Sequence, residues 1–272
     1  MQVWKAIVLG IIQGLTEFLP VSSSGHLVLG KHLLGLSGTG IEFEVFVHFG
    51  TLLAVITVFR RDIREMMIVF FRLFTPSFYK NGVKQQYETN PVLRILVFIV
   101  VASIPAVFAG LALKDKIDVI FSSPRFASSM LLLTALILAL TLWVKKSNNR
   151  LTLSNTFIMG MAQAFAILPG ISRSGSTIAI GLLLKIDKKE AARFSFLLAI
   201  PAILGATLLE TVDLINTGLS QQQLFQLVIG LIAAYLSGLF AIESLLAIVN
   251  RGKLYLFAPY CLLIGLLGLI LL

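Results

Sequence analysis

Residues Gly10 to His26 read GIIQGLTEFLPVSSSGH. An apolar stretch runs into a proline and three consecutive serines, with a carboxylate at Glu17 before the break and an imidazole at His26 after it. Polar and ionisable groups at membrane depth are costly, so such a cluster marks a functional position if its surroundings are membrane. The surroundings qualify. Apolar residues fill 57% of the 272 positions and charged residues 13%, and the mean hydropathy of +0.95 lies far from that of a soluble domain. The start, MQVWKAIVLG, has too weak a basic segment and no small-residue cleavage pattern, so it reads as part of the mature fold.

Working outward, apolar runs of the roughly 17 to 25 residues needed to cross a bilayer occur at Phe43 to Phe59, Ile95 to Leu113, Phe126 to Val144, Leu224 to Val249 and Leu254 to Leu272, with a shorter one at Phe194 to Leu209. Helices are expected throughout, because backbone groups in lipid need partners within their own segment and no period-2 alternation suggests a barrel. The expected class is all-α, a polytopic integral membrane protein folded as a single transmembrane domain. Cys261 stands by itself in an apolar run, so no disulfide framework exists and the residue reads as core.

The formal charge of +9 could suggest nucleic acid. Its distribution argues otherwise: the basic residues cluster at Arg60 to Arg94, Lys145 to Arg150, Lys185 to Arg193 and Asn250 to Lys253, between apolar runs. That is the pattern of cytoplasmic loops touching anionic lipid, so membrane lipids are expected partners and nucleic acid is not. The stretch Glu210 to Gln223 lacks Lys and Arg and is assigned outside.

Two interrupted regions remain, Trp4 to Leu36 and Asn155 to Leu184, each expected to be a re-entrant pair of half-helices. They resemble each other. Gly10, Gln13, Ser22, Ser24 and Gly25 match Gly160, Gln163, Ser172, Ser174 and Gly175, while Pro20 and Pro169 miss register by one. Three spans separate the copies, so the second enters from the opposite face. The expectation is an inverted-topology repeat, repeat one about residues 1–113 and repeat two about 126–272, with the polar breaks meeting near the midplane and helix N-termini facing an anion.

If the breaks meet, Glu17, Ser22, Ser23, Ser24 and His26 face Ser172, Arg173, Ser174, Ser176 and Thr177. A guanidinium among hydroxyls and free helix N–H groups suits a phosphate and the charge that develops on its transfer, making Arg173 the phosphate clamp, with an ion pair to Glu17 as the other reading. Ser23 lies three residues from His26, within one helical turn, and is expected to be a nucleophile activated by that base. His26 could instead attack directly or protonate the leaving group. His32 and His48 read as capping or core residues, and Glu42, Glu44 and Glu243 lie near span ends, where snorkelling is the simpler account. Gln13 and Glu17 share a helix face and could offer oxygens to Mg²⁺ or Ca²⁺; Glu17 could equally orient His26 or Arg173 without an ion.

With QGLTEFLPVSSSGH at Gln13 to His26 and LPGISRSGSTI at Leu168 to Ile178, supported by FEVFVHFGTLLAV from Phe43 and FSFLLAIPAILGA from Phe194, the chain resembles the bacterial undecaprenyl-diphosphate phosphatases of the bacitracin-resistance type. The likeness covers essentially the whole chain. It implies a polytopic inner-membrane enzyme with two re-entrant pairs that removes the terminal phosphate of a polyprenyl diphosphate, returning the monophosphate carrier for cell-wall synthesis, with its pocket open to the outer side. By motif position the family's acidic pair falls on Gln13 and Glu17, its nucleophile on Ser23, its histidine on His26, and its phosphate-binding residues on Ser172, Arg173 and Ser174. The glutamine at the first acidic position weakens a two-carboxylate metal site. Type 2 phosphatidic acid phosphatases also use a Ser-Gly-His string but need a histidine after a later Ser-Arg pair, and here all three histidines precede residue 49. The other function on the table is a lipid or anion transporter or flippase, since inverted repeats of broken helices also build transporters. The sequence is compatible with a homodimer.

Overall fold

The computed structural model describes residues 2–33, 41–79, 82–113, 120–144, 148–214 and 220–271. Twelve helices carry the argument: α1 (Val3–Phe18), α2 (Ser23–Leu33), α3 (Ile41–Val58), α4 (Arg60–Arg72), α5 (Val83–Thr89), α6 (Pro91–Leu113), α7 (Pro124–Leu140), α8 (Leu153–Phe165), α9 (Arg173–Leu183), α10 (Lys188–Leu214), α11 (Gln221–Asn250) and α12 (Ala258–Leu271). No strand occurs among the described residues beyond one isolated bridge. Five helical stretches are long and apolar enough to span a membrane: Pro91–Leu113, Pro124–Trp143, Lys188–Leu208, Gln221–Asn250 and Leu254–Leu271. This is an all-α, polytopic membrane protein.

The sixth expected span differs from its expected form. Helix α3 meets the length and apolarity requirement only together with α4, and the two are bent by 85° at Phe59. Part of the basic segment Arg60 to Arg94, expected as a loop, is therefore helix. Helix α4 exposes Met67, Ile68, Phe70 and Phe71 beside its arginines, a composition suited to lying along the membrane surface. At the other side of the expected pattern, α10 extends the short run Phe194 to Leu209 in both directions, and part of the stretch Glu210 to Gln223 lies outside the described residues.

Both interrupted regions fold as helix, break, helix, with α1 packed on α2 and α8 packed on α9. The mouth of the second hairpin is stitched by Asn149, whose N–H donates to the Lys185 carbonyl at 2.7 Å and whose carbonyl accepts from Asp187 N–H at 3.0 Å. Chain entry and exit thus share one end of the bundle. That end also holds the other basic segments: Arg193 pairs with Asp62 of α4, and Lys188 lies against Gly252 just beyond α11.

The first hairpin enters from the opposite end. Helix α1 runs parallel to α11, Gly10 meeting Gly230 and Gly14 meeting Ala234 and Gly238. Since α11 finishes at the basic end, α1 starts at the other. The expected relation between the matched glycines has a physical cause: Gly10 sits against the Gly230 backbone of α11, and Gly160 against the Ala102 backbone of α6. At neither position is there room for a Cβ.

The two breaks are neighbours, and their contacts are exchanged by a pseudo-two-fold. A Cβ at Gly25 would lie 3.1 Å from Gly170 Cα, and one at Gly175 would lie 3.1 Å from Pro20 Cβ. Each break is also held by a spanning helix. Thr134 Oγ1 of α7 donates to the Gly170 carbonyl at 2.8 Å, and Cys261 Sγ of α12 donates to the Pro20 carbonyl at 3.6 Å.

Candidate active site

Helices α2 and α9 both begin at the breaks, so their uncapped N–H groups converge on one region, an arrangement that attracts anions. Their caps match. Ser22 Oγ accepts from Gly25 N–H at 3.3 Å and Ser172 Oγ accepts from Gly175 N–H at 3.0 Å. Ser22 holds φ at +69°, a left-handed conformation that costs energy for a residue bearing a Cβ and is typical of functional turns. In the second break Ser172, the counterpart of Ser22, has an ordinary φ of −75°, and the left-handed residue is Gly170, at φ +97°.

Glu17, at the end of α1, joins the two tips. Its Oε1 is ion-paired with Arg173 Nη2, and its Oε2 accepts from Ser23 Oγ at 2.5 Å and from Gln13 Nε2 at 3.0 Å. Glu17 is 8% exposed, and the low-dielectric surroundings strengthen each of these bonds. Arg173 uses one of its five N–H groups here, and among the described residues the rest of the fork has no partner, so it can serve a ligand. Both sequence readings of Arg173 are thus geometrically compatible: it pairs with Glu17 and retains free donors.

The structure does not bring His26 to Ser23. His26 Nδ1 lies 2.8 Å from the Ser22 carbonyl, which can only accept, so Nδ1 carries a proton. His26 Nε2 lies 2.8 Å from Tyr260 Oη of α12, and the two rings stack at 5.6 Å with 5° between planes. In the neutral ring, Tyr260 therefore donates to Nε2. The hydroxyl of Ser23 has Glu17 as its partner, not the imidazole.

The remaining expected residues distribute as follows. Ser24 Oγ shares a 3.3 Å bond with Ser22 Oγ, and Ser174 Oγ shares one of 3.3 Å with Ser172 Oγ while reaching the Leu19 carbonyl at 3.4 Å. Thr177 turns away, bonding the Arg173 carbonyl and Ser195 Oγ of α10. Ser176 Oγ is buried without a hydrogen-bond partner. Three residues not expected from sequence take part. Thr134 fixes the second break by accepting from Ser172 N–H at 3.0 Å, Tyr260 holds His26, and His48 of α3 lies within electrostatic reach of Glu17. Each has apolar residues on both sides in its helix, and nothing in the sequence around it marks it as part of a site.

The donor set bears on the expected divalent cation. Gln13 Oε1 is buried with no partner, beside a carboxylate, and so is a donor in search of a ligand. Among the described residues no group of three His, Cys, Asp or Glu side chains is placed to hold a metal. Two protein oxygens suffice only for a hard cation whose other ligands come from substrate phosphates and water, as Mg²⁺ commonly accepts.

A family model described as "Bacitracin resistance protein BacA" matches residues 6–267. Among similar curated proteins, the undecaprenyl-diphosphatase of Salinibacter ruber is 44% identical over 98% of this chain and 98% of its own. That of Halothermothrix orenii is 44% identical over 100% of this chain and 98% of its own, and that of Methanobrevibacter smithii 38% identical over 98% and 96%. With the family model spanning nearly every residue and relatives this similar along their full lengths, the chain belongs to the bacitracin resistance protein BacA family.

Proposed function

We propose that the protein is a multi-pass phosphatase of the bacterial cytoplasmic membrane that hydrolyses undecaprenyl diphosphate to the monophosphate and inorganic phosphate, recycling the carrier lipid for cell-wall synthesis and thereby conferring bacitracin resistance. The observation that carries this reading is the chain Ser23, Glu17, Arg173, which ties a nucleophile on one hairpin to a phosphate-binding cation on the other. The names borne by the relatives support hydrolysis over transport.

The diphosphate docks at the two helix N-termini with Ser22, Ser24, Ser172 and Ser174 around it and Arg173 on the terminal phosphoryl oxygens. Ser23 Oγ attacks the terminal phosphorus while its proton passes to Glu17 Oε2. As Glu17 is neutralised, its hold on Arg173 weakens, and the guanidinium becomes available to the charge developing on phosphorus. The bond from that phosphorus to the bridging oxygen breaks, and the leaving polyprenyl monophosphate takes a proton from Tyr260 Oη, which is resupplied from His26 Nε2 after that ring takes up a proton from solvent. Water then attacks the phosphoserine phosphorus as the bond to Ser23 Oγ breaks: neutral Glu17 gives its proton to Ser23 Oγ, water's protons stay with the inorganic phosphate, and Glu17 is again a carboxylate. Gln13 and Glu17 would hold a divalent cation, which supplies neutralisation of the diphosphate charge.

The site belongs on the outer side of the membrane in this reading, with the basic end of the bundle in the cytoplasm. We take the halves to be an inverted repeat. Thr134 of α7 holds the second break as Cys261 of α12 holds the first, an equivalence that groups α7 with the first half, so the boundary we propose falls near residue 148 rather than before α7. Bilayer lipids, or a second copy in a homodimer, would cover the exposed apolar faces around Phe108 and Leu111 of α6 and Ile270 of α12.

The test is phosphate release from a polyprenyl diphosphate by purified protein. Ser23→Ala and Arg173→Ala should each lose about 10³-fold or more in kcat/KM, and parental rates in both would end the assignment. Chelation followed by Mg²⁺ titration tests the cation: Gln13→Glu should reach half-maximal rate at several-fold lower Mg²⁺ than the parent, and an unchanged requirement would remove the cation from this site.

A further inference from the structure

Away from the hairpin tips, a cavity of about 180 Å³ opens at the basic end of the bundle, where α6, α10 and the segment leading into α8 meet. Arg94, Arg150 and Arg193 line it together with Glu190, and Phe98 and Leu197 contribute an apolar wall. It is remote from the candidate active site. Helix α8 separates Arg150 from the second break, a distance of about 18 Å along its axis at 1.5 Å per residue.

The charges in this cavity are incompletely matched. Arg193 is held by Asp62, its Nε donating to Oδ1 at 2.7 Å. Arg94 and Arg150 make no ion pair among the described residues, although Glu190 lines the same cavity. Glu190 Oε2 is buried and accepts no hydrogen bond. A buried carboxylate oxygen without a donor is an unfavourable arrangement, tolerated where a ligand or water completes it. Three guanidinium groups against the carboxylates of Asp62 and Glu190 leave an excess of one positive charge.

We propose that this cavity binds the phosphate group of a phospholipid headgroup at the membrane surface. Arg94 and Arg150 supply planar forks for the phosphodiester oxygens. A hydroxyl on the same headgroup donates to Glu190 Oε2, and the apolar wall of Phe98 and Leu197 receives the start of the acyl region. A monoanionic headgroup balances the excess charge, so phosphatidylglycerol, with one phosphate charge and two hydroxyls, fits the chemistry. Phosphatidylcholine lacks both the net charge and an N–H or O–H donor. Inorganic phosphate shares the anion but not the apolar part.

Native mass spectrometry of the purified full-length protein, titrated separately with phosphatidylglycerol, phosphatidylcholine and inorganic phosphate, tests this. The parent should retain phosphatidylglycerol at least fivefold better than phosphatidylcholine, and Arg150→Gln and Arg94→Gln should abolish that preference. Arg150 is exposed, so its replacement leaves the fold intact, and phosphate release from polyprenyl diphosphate should stay at the parental rate. Equal retention of phosphatidylglycerol by parent and both variants would overturn the site. Arginine-dependent binding of inorganic phosphate as tight as that of the lipid would overturn the headgroup as its source.

Discussion

Glu17 carries more of the site than any pattern in its sequence suggests. Its two oxygens bond Arg173, Ser23 and Gln13, so one side chain holds the proposed nucleophile and the proposed phosphate clamp at once. The spacing of Ser23 and His26 invites a serine–histidine pair, and the residue types are right, but helix geometry sends them apart. Side chains tilt toward a helix N-terminus, so Ser23, at the first position of α2, leans back across the break to Glu17. His26, one turn on, faces Tyr260 of α12. The residues gathered at the two breaks were therefore legible in the sequence and their partnership was not, because it depends on where α1 ends in space. The two candidate bases predict different kinetics. Glu17→Gln should lower kcat about 10³-fold, in the usual range for a general base, whereas His26→Gln should cost about 10-fold to 10²-fold. The order of these losses, measured as single-turnover phosphate release, decides between them. A larger loss for His26→Gln would return the base to the imidazole.

At the scale of elements, the two hairpins were readable because a helix break in apolar sequence has few physical explanations. Pro20 and Pro169, the serines and the glycines interrupt runs that would otherwise continue as helix. What the sequence could not reveal was why Gly10 and Gly160 match, since a glycine inside a helix is silent about what approaches it. The structure supplies the cause in the backbones of α11 and α6. Gly110, also in α6, has no neighbour within 4 Å of the place a Cβ would take and is free of that constraint. Gly160→Val should consequently destabilise the protein by about 3 kcal/mol or more, the upper end of overpacking costs. Gly110→Ala should be neutral or slightly stabilising through helix propensity. Thermal unfolding in one detergent compares them, and equal midpoints would mean that the close approach of α8 to α6 is not a packing requirement. Helix α4 was missed for a different reason: its arginines recur at Arg60, Arg61 and Arg64, and a dense basic start reads as a topogenic loop whether or not it is helical.

For the whole molecule, two hairpins entering from opposite ends place the candidate site inside one bundle, whose basic end lies at the mouth of the second hairpin. Composition and the distribution of Lys and Arg are enough to expect a basic end, because loop charge is a property of sequence. The side at which each hairpin opens needed the pairing of α1 with α11 and the Asn149 stitch. Sidedness in a living membrane is accessible through cysteine labelling. The native Cys261 is fully buried, so it should remain silent to a membrane-impermeant thiol reagent. Gln221→Cys, at the exposed start of α11, and Arg150→Cys, at the mouth of the second hairpin, place one thiol at each end. If the basic end faces the cytoplasm, Gln221→Cys labels in intact cells and Arg150→Cys labels only after permeabilisation. The reverse pattern would invert the protein in its membrane. It would also put the phospholipid cavity, with Arg94 and Arg193, in the outer leaflet, where the positive-inside bias argues that such a cluster does not belong.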